Sequence, residues 1–175
     1  MKRVDIRQLT LAAVVAALYV VMSWYANIFG VAFSGVQCRF SEALCVLPFF
    51  FPATAPGLFV GCLIFNLLSP YGPLDVVFGS LATLLAALLT AKMPSRWLAP
   101  LPPVICNALI PPAVIAWTMT ESFGPAFWSA YAMNAISIGV GEALACYGLG
   151  GLLLYGLPRI SFFRGMIRQA RPDAV

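Results

Sequence analysis

The sequence predicts an all-α integral membrane protein, a six-transmembrane-helix bundle with both termini cytoplasmic, and three observations predict it. First, 62% of the 175 residues are hydrophobic and 9% are charged, against about a quarter charged in a soluble domain. A mean hydropathy of +0.93 is more apolar surface than a water-soluble fold can hide. Second, the few charges punctuate neutral stretches near the ~20 residues a helix needs to cross a bilayer. Third, the basic residues segregate to one side of those stretches.

The first helix is expected at 9–29. Lys2, Arg3 and Arg7 before it resemble a signal-peptide start, but the apolar run is too long. Bulky Trp24 and Tyr25 also stand where small cleavage residues belong, so the segment reads as a retained span. Residues 30–40, richer in Gly, Ser and β-branched side chains, read as an ordered loop with an extended stretch. Pro48, Pro52 and Pro56 break the next neutral run, because internal prolines remove backbone donors. They split it into a short second helix at 41–51 and a third at 55–68. Ser69-Pro70-Tyr71-Gly72-Pro73 is a turn signal.

A fourth helix follows at 74–91 and stops at Lys92-Met93-Pro94. The fifth spans 96–119 with a distortion at Pro111-Pro112, and the sixth spans 126–157, long enough to tilt. With the N-terminus inside, Lys2, Arg3, Arg7, Lys92, Arg96, Arg159, Arg164, Arg168 and Arg171 fall on the cytoplasmic side and only Arg39 lies outside. A five-helix division would lose that asymmetry. Residues 1–175 therefore read as a single membrane domain.

Composition excludes much. Sparse charge argues against disorder and nucleic-acid binding. With no histidine, Ser-His and Cys-His catalysis and imidazole metal sites are impossible, and no metal site or resident cofactor is expected. Lys2 and Lys92 are the only lysines, and neither sits in a phosphate-cradling loop. Cys38, Cys45, Cys62, Cys106 and Cys146 lack Cys-x-x-Cys spacing and read as small apolar packing residues.

Ionisable groups within apolar segments mark functional candidates. Arg39 and Glu42 begin the second helix, Asp75 begins the fourth, and Glu142 lies midway along the sixth. Asn66, Tyr71, Asn107 and Asn134 join them, with Asn134 eight residues before Glu142 and hence on the same face. Converging on one pocket open to the outside, these groups form a candidate substrate site. Each also has an ordinary reading. Arg39 and Glu42 are spaced to pair with each other, Glu42 and Asp75 sit in first turns where a carboxylate complements the helix dipole, and the asparagines can join helices.

Acceptor-rich walls suit a cationic or donor-rich ligand. A guanine-like heterocycle offers adjacent N–H donors to one carboxylate, and a second carboxylate suits an attached ammonium. Trp24, Tyr25, Tyr71, Trp128 and Tyr131 are candidates for stacking on the ring, although interfacial aromatics have the same composition. Two small-residue patches allow close helix approach. One is Ala12-Ala13-Val14-Val15-Ala16-Ala17, a packing or docking face, and the other is Gly57-Leu-Phe-Val-Gly61.

Three blocks carry a resemblance. They are Val36-Gln37-Cys38-Arg39-Phe40-Ser41-Glu42-Ala43-Leu44 with Leu47-Pro48-Phe49-Phe50, Pro56-Gly57-Leu58-Phe59-Val60-Gly61-Cys62 through Asn66-Leu67-Leu68-Ser69-Pro70-Tyr71-Gly72, and Leu74-Asp75-Val76-Val77-Phe78-Gly79-Ser80-Leu81-Ala82-Thr83. Together they resemble the queuosine-precursor transporter family (QueT), and the likeness continues more weakly to about Arg159. Cys38 departs mildly from it, standing where a bulkier apolar residue is expected.

The resemblance implies a substrate-binding S component of an energy-coupling factor (ECF) importer in a prokaryotic plasma membrane, capturing a 7-deazaguanine precursor of queuosine from outside. The aminomethyl form is the expected substrate. It further implies an ECF transmembrane coupling subunit and two ATPase subunits as partners, so that ATP is used by partner chains and this chain is not an enzyme. Docking through an Ala-x-x-x-Ala face of the first helix then falls on Ala12 and Ala16. A stand-alone secondary transporter of a nucleobase-like or vitamin-like solute is the alternative, opposed by the small size and the lack of an inverted repeat. An intramembrane enzyme lacks any base beside Ser80.

Overall fold

The structure, a computed structural model, describes residues 6–30 and 39–174. Among them there is no strand. Helix α1 (Ile6–Ile28) is followed by a 3-10 helix (Phe40–Phe49), a single turn (Pro52–Thr54), α2 (Ala55–Asn66), α3 (Pro73–Thr90), α4 (Leu101–Thr120) and α5 (Pro125–Ala143). A π-helical stretch (Leu144–Leu149) carries α5 into α6 (Gly150–Gly156), and α7 (Ser161–Ala170) closes the order. Among the described residues, four helices are long and apolar enough to cross a membrane: Ile6–Ile28, Pro73–Thr90, Leu101–Thr120 and the continuous Pro125–Arg159. Phe40–Phe49 and Pro52–Asn66 are apolar but shorter. The expected loop at 30–40, Cys38, Lys2 and Arg3 fall outside the described residues, save the loop's two ends.

Burial is inverted relative to a soluble bundle. On α3 the buried face is Asp75, Gly79, Ser80, Ala82, Thr83 and Ala86, whereas Val77, Phe78, Leu81, Leu85 and Leu88 are exposed. Lipid is as apolar as leucine, so helices meet through small and hydrogen-bonding residues while large aliphatic ones face outward. α1 and α2 show the closest approach. A Cβ at Gly57 would stand 2.1 Å from the carbonyl oxygen of Ala12, and one at Gly61 would stand 2.9 Å from that of Ala16. No side chain other than hydrogen fits there.

That contact changes the reading of the alanine run. Ala12 is buried and Ala16 half-buried against α2, and Ala13 and Ala17 are the exposed pair. A 100° turn per residue separates the two pairs, and the glycines of α2 select the first pair for the interior.

The innermost element is the 3-10 helix, in which Ser41 through Val46, Pro48 and Phe49 are buried. It lies against α1, α3, α6 and the π-helical stretch. An ordinary helix at 41–51 was expected. The tighter winding is not visible in composition, although Pro48 inside it withholds one backbone donor. Gly150 makes room beside it, since a Cβ there would come within 2.9 Å of Val46 Cγ1.

Two other boundaries differ. The helix expected at 96–119 begins at Leu101, because residues 95–100 form turns, with Leu98 N–H to Ser95 O at 3.2 Å. Pro102 and Pro103 then occupy the helix start, where a missing N–H costs nothing. The basic tail also forms a helix, α7. Phe163, Met166 and Ile167 share its inner face and pack with Phe49, Phe50 and Leu154, while Arg164 and Arg168 stay exposed. Beyond α7, Arg171 donates to the carbonyls of Phe49 at 2.8 Å, Ala91 at 3.3 Å and Met93 at 2.7 Å. Its guanidinium lies 4.4 Å from the Phe49 ring centroid. Cys45, Cys62, Cys106 and Cys146 are buried free thiols.

Candidate substrate site

Winding places the first carboxylate. With three residues per turn, side chains at i and i+3 of a 3-10 helix eclipse, so Glu42 stacks directly on Cys45. The Cys45 thiol donates to Glu42 Oε2 at 3.0 Å, and the Tyr19 hydroxyl of α1 donates to Glu42 Oε1. One turn of α1 further on, Ser23 donates to Ser41 at 2.6 Å. Glu42, only 2% exposed, is thereby held by α1 and by its own helix.

The second carboxylate, Glu142, comes from the last turn of α5, where the π-helical stretch begins. Asn107 of α4 bridges the two. Its Nδ2 donates to Glu142 Oε1 at 2.9 Å and lies 3.5 Å from Glu42 Oε2. Cys146 reaches the Glu42 carbonyl at 3.3 Å and Glu142 Oε2 at 3.6 Å. Two carboxylates facing one amide fix its orientation, because its oxygen turned that way would set acceptor against acceptor. Asn107 Oδ1 is consequently buried with no hydrogen-bond partner among the described residues, a condition that costs about 1–3 kcal/mol. Pro111, four residues on, has no N–H to offer the backbone carbonyl of Asn107.

A second polar group forms where α2 meets α3. Gly72, at φ +78°, adopts the left-handed backbone that glycine tolerates, and the turn brings Asp75 back onto Asn66. Asn66 Nδ2 approaches the Asp75 carbonyl at 3.4 Å, and Ser69 donates to Asp75 Oδ2 at 2.5 Å. Arg39 donates to Asn66 Oδ1 at 3.2 Å and sits 5.4 Å from the Phe65 ring centroid. Gly79 leaves the space these groups use, since a Cβ there would stand 2.8 Å from Asn66 Nδ2 and 3.2 Å from Asp75 Oδ1.

The two groups bound one internal cavity, lined by Arg39, Glu42, Asp75, Gly79, Thr83, Asn107, Pro111, Ile138 and Glu142, with a volume of about 20 Å³. Five of the eight sequence candidates thus line the same cavity: Arg39, Glu42, Asp75, Asn107 and Glu142. Asn66 stands behind Arg39 and Asp75. Tyr71 is half-buried in the turn, its N–H donating to Ser69 Oγ at 3.2 Å. Asn134 is half-buried and donates to the Ala130 carbonyl of its own helix at 2.8 Å, so neither of these two lines the cavity. Trp24, Tyr25 and Trp128 are exposed at 50%, 57% and 62%, and no aromatic ring lines the cavity among the described residues.

Sequence reasoning missed Gly79, Thr83, Pro111 and Ile138 as lining residues and Tyr19 as the partner of Glu42. Tyr19 carried a signal. It lies on the stripe Ala12, Val15, Tyr19, Ser23, Ala26, at steps of three and four, which is the buried face of α1.

The protein-family model described as QueT transporter matches residues 9–159. Among curated proteins, the chain is similar to the "Queuosine precursor transporter QueT" of Lactococcus lactis subsp. cremoris (strain MG1363), 33% identical over 84 residues. That stretch covers 48% of this chain and 49% of the relative, so the match spans about half the relative's length. No solved structure matches.

Proposed function

The chain belongs to the QueT transporter family, and from that premise we propose that it is the substrate-binding S component of an ECF importer, taking up a 7-deazaguanine precursor of queuosine. The observation that carries the substrate class is the cavity wall. Glu42, Asp75, Glu142 and the unpartnered Asn107 Oδ1 make it rich in acceptors, and a 7-deazaguanine is rich in N–H donors. The aminomethyl form adds a cation to suit the surplus of carboxylates. The bundle crosses the membrane six times, with Phe40–Phe49 and Pro52–Asn66 as the two short crossings, and both termini face the cytoplasm of a prokaryotic cell.

About 20 Å³ is room for roughly one water, whereas ligand pockets run to about 300–1,000 Å³. The described conformation is therefore contracted, and the substrate enters by parting the walls. Of the elements that line it, one is a 3-10 helix and another, α4, lacks a backbone donor at Pro111. Coupling to ATP is assigned to the partner chains, a transmembrane subunit and two ATPases. They dock on the outer face of α1, and the exposed alanines there are Ala13 and Ala17.

Calorimetry on purified protein in nanodiscs tests the reading. One-to-one binding of aminomethyl-7-deazaguanine is expected. Heat no greater than that from an unrelated purine nucleoside would sink it.

A further inference from the structure

The cavity has two chemically different ends. At one end Arg39 brings a guanidinium among Asn66, Asp75 and Gly79, so donors and acceptors are mixed. At the other end, Glu42, Asn107 and Glu142 present two carboxylates and an amide whose only donor group is spent on those carboxylates. Asn107 is itself only 3% exposed and lines the cavity, and its Oδ1 has no partner among the described residues. A buried acceptor left open beside two carboxylates calls for a donor that also carries positive charge.

We propose, resting on the substrate reading above, that Glu42, Asn107 and Glu142 form a subsite for a primary ammonium borne on a short arm of the substrate. The heterocycle then lies toward Arg39 and Asp75. An ammonium has three N–H donors and no acceptor, matching three acceptor groups on three different elements. A nitrile in the same position offers only an acceptor to a wall of acceptors, and a bare ring leaves Asn107 Oδ1 unsatisfied. Selectivity for the amine over its neutral analogue therefore resides at this end, because a site built around hydrogen bonds rejects a ligand that lacks them. Asp75, already accepting from Ser69 at 2.5 Å, is left to the ring.

Calorimetric titration of the nanodisc protein with aminomethyl-7-deazaguanine and with its nitrile analogue tests the assignment. Wild type is expected to prefer the amine by at least tenfold, about the worth of one hydrogen bond to a charged group. Glu142→Gln, which keeps the side-chain shape, should lose about tenfold on the amine and leave the nitrile within about threefold. Asn107→Leu should likewise narrow the preference, with thermal melting of both variants confirming that they fold. Equal losses on both ligands, or a preference untouched by both substitutions, would overturn the subsite while leaving the substrate class standing. If wild type binds neither compound, the substrate reading itself fails and the subsite with it.

Discussion

Tyr19 of the first membrane helix donates its hydroxyl to Glu42 of the 3-10 helix, and both side chains are buried. Helix α1 therefore does more than pack. It supplies the partner that holds one cavity carboxylate, across 23 residues of sequence. Removing that donor leaves a buried carboxylate oxygen short of a bond. Tyr19→Phe is expected to cost about 1–3 kcal/mol of stability, read as a lower melting temperature in detergent, and to weaken substrate binding. Unchanged melting and affinity would mean that Glu42 is held without Tyr19.

Gly79 is a second sensitive position. Its missing side chain is the space occupied by Asn66 Nδ2 and Asp75 Oδ1. Gly79→Ala pushes both groups off their partners, an overpacking change of about 1–3 kcal/mol. Substrate affinity should fall by about tenfold or more while the helical circular-dichroism spectrum is kept. Wild-type affinity in this variant would remove the α2–α3 polar group from the binding site.

The two alanine pairs of α1 allow packing to be separated experimentally from the proposed docking. Gly57→Val drives a side chain into the Ala12 carbonyl, which is backbone and cannot yield, so loss of folded protein in size-exclusion profiles is expected. Ala13→Leu with Ala17→Leu adds bulk only where the helix is exposed. That variant should fold and bind substrate normally yet fail in cellular uptake with the partner subunits present. Uptake at the wild-type rate would mean that the partners grip another face.

Arg171 ties the C-terminal segment to two helix ends through the carbonyls of Phe49, Ala91 and Met93. Arg171→Ala should raise amide hydrogen exchange across 161–170 and along the end of the 3-10 helix. Arg171→Lys is expected to restore little, since one ammonium cannot reproduce a planar fork spread over three acceptors. Exchange rates matching wild type would show that the Ile167 and Phe163 contacts suffice to hold α7.

The membrane class, the order of the apolar segments and five of the cavity-lining residues were legible in the sequence. Charges and amides inside apolar runs are expensive, so Arg39, Glu42, Asp75, Asn107 and Glu142 stand out by type alone. What was not legible depends on helix phase and winding. Asn134 shares its helix with Glu142, but its side chain bonds the Ala130 carbonyl one turn back, a choice that composition does not record. Ala12 and Ala16 differ from Ala13 and Ala17 only in rotation about α1, which the glycines of α2 decide. The aromatics were overvalued because Trp24, Tyr25 and Trp128 satisfy the same residue pattern whether they face a ligand or the edge of the bilayer.

The segment that carries Glu42 into the cavity is wound tight, and the segment it packs on beyond Glu142 is wound wide. A 3-10 helix rises about 2.0 Å per residue and an α-helix about 1.5 Å. Rewinding the ten residues Phe40–Phe49 as α-helix would shorten them by about 5 Å, and bringing the π-helical Leu144–Leu149 back to α-helix would lengthen that stretch. Glu42 rides on the first segment and Glu142 borders the second. A change of winding in either segment would therefore displace Glu42 and Glu142 relative to each other along the bundle, while helical bonding within each segment is kept.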